Sequence, residues 1–301
     1  MRKLAFGYST RCTIRCAHCV ASGDHPNSIK MDHETAKGLI LELARAGVGG
    51  VSFSAGEPML YRNEIGELVK LCRHSSIYTR IVTNSFWART DEVADQLVAE
   101  LKENGLCQLR LSFSRWHQQH VSRDNILRAA QSCRKIGLEY FVSFITDFSE
   151  EDDPYEQYLR DHGLTFFPEP VIYAGRAESF DRRKIFTDYQ ANCCEMNPYL
   201  TPDLHMYGCC DAGSHFSETN FFYLGSLNDT PLEQLFRKSE TDPMFTLIRT
   251  MGITNIASYA GMSGREIITY SKCELCRQLF NSPETLSRLR AEVHKLSAWR
   301  R

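Results

Sequence analysis

Apolar residues follow two alternating rhythms along roughly the first 175 residues. Short runs rich in β-branched and aromatic residues, at 4–9, 50–54, 77–83, 107–114, 140–146 and 165–172, read as strands. Between them, apolar residues fall at helical spacing: Leu39, Ile40, Leu43 and Ala46; Ile65, Leu68, Val69 and Cys72; Val93, Leu97, Val98 and Leu101; Ile126, Leu127, Ala130 and Ile136. Asp32, Asp91 and Asp124 stand where N-caps are wanted. Alternation of this kind predicts an α/β fold with a parallel sheet and covering helices. Right-handed crossovers curl such a sheet toward a barrel. Chemistry is then expected at the C-terminal ends of the strands, where the turns carrying Cys12, Glu57, Asn84, Ser112 and Arg176 converge on one mouth.

Near residue 178 the alternation stops, and turn residues and cysteines take over. This predicts a barrel domain over 1–177 and a small cysteine-rich domain over 178–281. Pro283 and Glu284 then open a C-terminal helix over 282–301. The acidic run 150–153 before Pro154 reads as a solvated helix start.

Composition narrows the class. With 43% hydrophobic and 24% charged residues in 301, the chain can bury a sizeable core. A net charge of −2 gives no footprint for nucleic acid. No apolar run reaches the roughly 18 residues that span a bilayer, and the N-terminus lacks the apolar region of a signal peptide. A cytoplasmic protein without membrane partners is expected. Twelve cysteines there are not disulfides, because cytosolic thiols stay reduced. Cys72, Cys107 and Cys133, alone in apolar stretches, read as small buried hydrophobes.

Cys12, Cys16 and Cys19 are spaced C-x3-C-x2-C. A structural zinc ordinarily takes four ligands. Three thiolates on one loop suit an iron–sulfur cluster better, with one iron left open. Together with Ser54-Ala55-Gly56-Glu57-Pro58, this spacing resembles the signature of the radical S-adenosylmethionine (SAM) superfamily. The resemblance implies a partial (β/α)6 TIM-type barrel and a [4Fe–4S] cluster that chelates SAM. It implies that Glu57 binds the SAM amine, on a turn shaped by Gly56 and Pro58, with Ser54 among the cofactor-binding residues. Asn84, Ser112 and Ser143 would serve the ribose and carboxylate. His18, where the family usually has an aromatic residue, would pack on the adenine; as a fourth metal ligand it is disfavoured. One electron, from a donor such as flavodoxin or ferredoxin, would then release a 5′-deoxyadenosyl radical that takes hydrogen from the substrate.

The remaining cysteines, Cys193, Cys194, Cys209, Cys210, Cys273 and Cys276, supply enough thiols for a four-cysteine cage holding zinc or an iron–sulfur cluster. Beside a radical SAM core they resemble a SPASM/Twitch-type auxiliary domain. That implies a second [4Fe–4S] cluster on Cys193, Cys209, Cys273 and Cys276, with Cys194 as the alternative to Cys193. In the matching segment Pro202–Cys209, Leu204 replaces the usual glycine. The stretches at 84–87, 112–117, 125–127, 208–210 and 273–282 are similar to radical SAM epimerases of the epipeptide kind. These turn L-residues of a ribosomal precursor peptide into D-residues, and the resemblance makes Cys210 the hydrogen-atom donor. Arg115 stands where that family usually has an acidic residue, so substrate placement is expected to differ. One rival keeps the enzyme class: peptide crosslinking (thioether or C–C) or small-molecule dehydrogenation, neither of which needs Cys210. The other is a non-catalytic iron–sulfur electron carrier, against which Glu57 and the polar strand ends argue.

Overall fold

The computed structural model describes residues 1–20, 28–181, 196–210, 221–267 and 271–298. Strands β1 (Arg2–Gly7), β2 (Val48–Ser54), β3 (Tyr78–Thr83), β4 (Gln108–Phe113), β5 (Glu139–Thr146) and β6 (Phe166–Pro170) alternate with helices α1 (His33–Arg45), α2 (Arg62–His74), α3 (Asp91–Asn104), α4 (Arg123–Ile136) and α5 (Asp153–Asp161). All five neighbouring pairs among these strands are parallel. The strand order β6-β5-β4-β3-β2-β1 is that of the expected partial barrel.

Local chemistry sets the element ends. Asp32 caps α1, accepting from the Thr35 N–H at 2.9 Å. For α3 and α4 the expectation is corrected: Thr90 and Ser122 are the caps. Asp91 and Asp124 sit one or two steps inside, where their charge still suits the helix dipole. Both helices end on left-handed glycines, Gly105 (φ +99°) and Gly137 (φ +75°). Cys72 and Cys133 are fully buried, as expected. Cys107 is only half-buried, and its sulfur accepts from the Thr79 N–H at 3.5 Å.

The outer edge of β6 is blunted. Val171 donates to the Thr146 carbonyl, so the odd-numbered residues face β5 and Pro168 and Pro170 face outward without an N–H. The acidic run before α5 is not wholly solvated. Asp152 is buried and takes a 2.6 Å bond from Arg115.

Beyond residue 195 the chain returns to the barrel. β7 (Tyr199–Leu200) pairs in parallel with β1, through Ala5 with Tyr199 and Phe6 with Leu200. β8 (His205–Tyr207) and β9 (Tyr223–Ser226) extend the same sheet in antiparallel fashion. Helices α6 (Leu232–Thr241), α7 (Pro243–Met251), α8 (Ile253–Tyr259), α9 (Gly264–Ile267), α10 (Lys272–Phe280) and α11 (Pro283–Ala298) follow. An aromatic cluster joins the β8–β9 connection to them. Phe221 stacks on Phe280 at 4.6 Å, and Phe222 on Phe245 at 5.8 Å. Among the described residues no helix is long and apolar enough to cross a membrane.

Candidate functional site

A cavity of about 260 Å³ opens at the C-terminal ends of the barrel strands. All ten barrel positions singled out from sequence line it. Cys12, Cys16, His18 and Cys19 come from the loop after β1, and Ser54, Gly56 and Glu57 from the end of β2. Asn84 follows β3, while Ser112 and Ser143 lie on β4 and β5. Register explains the convergence. Gly7 pairs with Ser54 and Ser112 with Ser143, so partners leave the sheet on one face.

Arg110, Glu169, His117 and Arg176 also line the cavity. Sequence reading placed the Arg176 turn at this mouth but gave none of the four a role. The signal was available for Arg110 and Glu169: each shares strand parity with a chosen serine or its neighbour. Arg110 donates to the Ser143 hydroxyl at 2.9 Å and pairs with Glu169. Ser143 is therefore tied to an arginine before any ligand arrives.

The cysteine loop is held by its backbone. Arg176 donates from Nε to the Cys16 carbonyl at 2.8 Å, and from its own N–H to the Cys19 carbonyl at 3.1 Å. Asn84 donates to the Thr13 hydroxyl at 3.1 Å. Among the described residues, the one trio of metal-type donors within 4.8 Å of one another is Cys16, His18 and His117. The sulfurs of Cys12, Cys16 and Cys19 do not all lie within 4.8 Å of one another. Burial pushes the Cys12 thiol up to about 11 and the Cys16 thiol up to about 12. Iron must displace those protons to bind.

His18 lies against Trp116 at 4.9 Å and His117 at 4.7 Å, ring centre to ring centre. Among the described residues its buried Nδ1 has no hydrogen-bond partner. Burial, and then the charge of His117, holds its pKa well below the ordinary value, so the ring is a neutral imidazole. Such a ring at the cavity wall can pack on a flat ligand.

Glu57 is placed differently from a side chain reaching into open space. It is 1% exposed, and its oxygens accept from the N–H groups of Met59 (3.0 Å) and Asn84 (2.8 Å). Burial raises its pKa to about 7 against these bonds. Glu57 itself donates its N–H to the Arg11 carbonyl at 2.8 Å. The residue therefore ties three loops together at the cavity floor. Gly56 makes this approach possible: at φ +53°, a Cβ there would sit 2.2 Å from the Arg11 carbonyl oxygen.

The charge on Arg115 is spent within the protein. Its guanidinium bonds Asp147 (2.9 Å) and Asp152 (2.6 Å) and lies 4.1 Å from the Trp116 ring. It holds the loop after β5 to the loop after β4.

Of the second cysteine set, Cys193 and Cys194 lie outside the described residues. Cys209 follows β8 and is half-buried, and Cys210 beside it is exposed. Cys273 and Cys276 sit three apart on α10, on one face, and both are half-buried. Ser271 caps this helix. Arg277 donates to the Tyr173 carbonyl at 3.0 Å, which ties α10 to the loop that also carries Arg176. Leu204, where a glycine was expected, takes the left-handed conformation a glycine would take, at φ +70°.

A family model described as the Radical SAM superfamily matches residues 7–161. YydG of Bacillus subtilis (strain 168), whose name places it in peptide biosynthesis, is 20% identical over 95% of this chain and 94% of its own. A PqqA peptide cyclase of Bradyrhizobium diazoefficiens is 32% identical over 34% of this chain and 26% of its own. The crystal structure of BtrN in complex with AdoMet and 2-DOIA aligns with a TM-score of 0.51 at 13% identity, covering 91% of this chain and 93% of that one. That likeness, at so low an identity, speaks to the fold.

Proposed function

We propose that this chain, which belongs to the radical SAM superfamily, acts on a ribosomally made peptide and inverts one of its residues from L to D. The family implies a [4Fe–4S] cluster and SAM, and three thiols lining one cavity fit that pair. The observation that carries the finer reading is Cys210. It is an exposed thiol directly after Cys209, on a segment that β7 attaches to the strand leading into the Cys12 loop. Similarity to YydG along nearly the whole chain supports a peptide substrate.

In this reading residues 1–177 form the catalytic barrel, 178–281 an auxiliary domain and 282–301 a C-terminal helix. Cys12, Cys16 and Cys19 hold the cluster. Cys209, Cys273 and Cys276, with Cys193 or Cys194, hold a second one. When bound, the cluster and SAM supply the 5′-deoxyadenosyl radical that takes the substrate Hα. Arg176 and Asn84 fix the cysteine loop, Glu57 at the cavity floor binds the SAM amine on the turn that Gly56 shapes, and His18 packs on the adenine. Ser54, Ser112 and Ser143 offer hydroxyls to the rest of SAM. Hydrogen loss leaves a flattened Cα radical, and the Cys210 thiol returns a hydrogen atom to its opposite face. A one-electron donor of the flavodoxin or ferredoxin class completes the system.

Reduced enzyme, SAM and precursor peptide in D2O test this. The product should keep its mass apart from one deuterium at the inverted residue. A product lighter by two hydrogens overturns inversion. It would favour the second reading, peptide crosslinking (thioether or C–C), which the local similarity to a PqqA peptide cyclase supports.

A further inference from the structure

Cys16, His18 and His117 form a cluster that the scheme above uses only in part. Their donor atoms all lie within 4.8 Å of one another, a closeness that the three motif thiols do not share. All three residues line the cavity, and they are 5%, 9% and 8% exposed. One sulfur and two imidazole nitrogens are the donor types that zinc takes. Tetrahedral zinc holds such donors roughly 3.3–3.6 Å apart, so side-chain movement on the order of 1 Å closes the trio.

The surroundings prepare the ligands. The Cys16 carbonyl accepts from Arg176 Nε at 2.8 Å, which fixes the backbone that carries the thiol. The buried Ser114 hydroxyl bonds Nδ1 of His117 at 2.7 Å. A metal-bound histidine is ordinarily held in this way by its second nitrogen, and here the bond leaves Nε2 for an ion. Among the described residues the buried Nδ1 of His18 has no hydrogen-bond partner. An unpaired buried polar atom costs about 1–3 kcal/mol, which coordination through Nδ1 would offset.

We propose that, before any cluster is built, Cys16, His18 and His117 bind one divalent cation of the zinc type, with its fourth position open to the cavity. Binding breaks the Cys16 S–H bond, releases the proton to solvent and forms a sulfur–metal bond, with no change of oxidation state. Cys16 is also a ligand of the proposed iron–sulfur cluster, so the ion and the cluster exclude each other. The site therefore makes cluster assembly sensitive to zinc. That consequence rests on the cluster reading, whereas binding of the ion does not.

Co²⁺, a spectroscopic substitute for zinc, tests the site in metal-free, reduced protein. The unaltered chain should gain a sulfur-to-cobalt charge-transfer band, and its proton magnetic resonance spectrum should show shifted ring N–H signals from two bound histidines. His117→Phe keeps a ring against His18 and should bind one cobalt fewer per chain; cobalt held by the second cysteine set is common to both. Ser114→Ala removes the hydroxyl that holds His117 and should weaken cobalt binding about 10–100-fold. Zn²⁺ added before iron and sulfide should suppress the SAM-responsive cluster in the unaltered chain and not in His117→Phe. Equal cobalt uptake by the unaltered chain and His117→Phe, or no shifted histidine signals in the unaltered chain, overturns the site. Full cluster yield in the presence of zinc overturns the competition. If the unaltered chain builds no SAM-responsive cluster even without zinc, the cluster reading fails, and the cobalt results still decide the site.

Discussion

The carboxylate of Glu57 accepts from the backbone N–H of Asn84 at 2.8 Å, fastening the turn after β2 to the turn after β3. Because Glu57 is buried, its folded pKa of about 7 lies above its ordinary 4.5. Between those values the folded chain holds a proton that the unfolded chain has lost, so stability falls as pH rises through the window. The loss should reach about 3 kcal/mol in metal-free protein. Urea unfolding from pH 4.5 to 7.5 should show this slope in the unaltered chain and not in Glu57→Gln. Equal slopes would remove Glu57 as its source.

Gly56→Ala should damage the site more than its size suggests. The added methyl would meet the Arg11 carbonyl at 2.2 Å, in a backbone conformation that already disfavours it. Iron content after reconstitution and SAM binding should both drop sharply, and normal values for both would contradict so close an approach of the two loops. Ala55→Gly next door should do the reverse. Ala55 holds φ +69°, so relief of left-handed strain should raise the unfolding free energy by about 1 kcal/mol.

Cysteine variants separate cofactor assembly from outcome. Cys16→Ala should lose the cluster signal in electron paramagnetic resonance and all SAM cleavage. Cys210→Ala should still form 5′-deoxyadenosine while inversion falls below detection. Retained inversion in Cys210→Ala would take that thiol out of the mechanism.

Removing Arg115 should cost stability. The side chains of Arg115, Asp147 and Asp152 are 14%, 8% and 4% exposed, so Arg115→Met strands two shielded carboxylates. A loss of about 3 kcal/mol is expected from the urea midpoint and slope. A loss under about 1 kcal/mol would class the network with exposed pairs.

Much of the site was legible because its chemistry is local. Cys12, Cys16 and Cys19 lie within one loop, and Gly56 and Glu57 within one turn, so short stretches of sequence single them out as candidates. Strand parity marked Arg110 and Glu169 but did not single them out, since a charged residue on a strand reads as solvent-facing until the barrel gives the strand an inside. Arg115 was legible as a departure from its family but not in its effect, because its partners lie more than thirty residues away. Leu204 shows the converse. Sequence marked a missing glycine, while the turn between β7 and β8 keeps the left-handed conformation regardless.

Hydrophobic rhythm and cysteine spacing by themselves determined the β/α alternation, the three-thiol loop and the strand ends that face one mouth. These depend on interactions between near neighbours, which periodicity records. Only the tertiary structure decided that Glu57 accepts from two backbone amides, that β7 joins β1, and that Tyr199 lies against Gly7. Each of these depends on which strand lies beside which, and pairing between segments nearly two hundred residues apart leaves no periodic trace in either one.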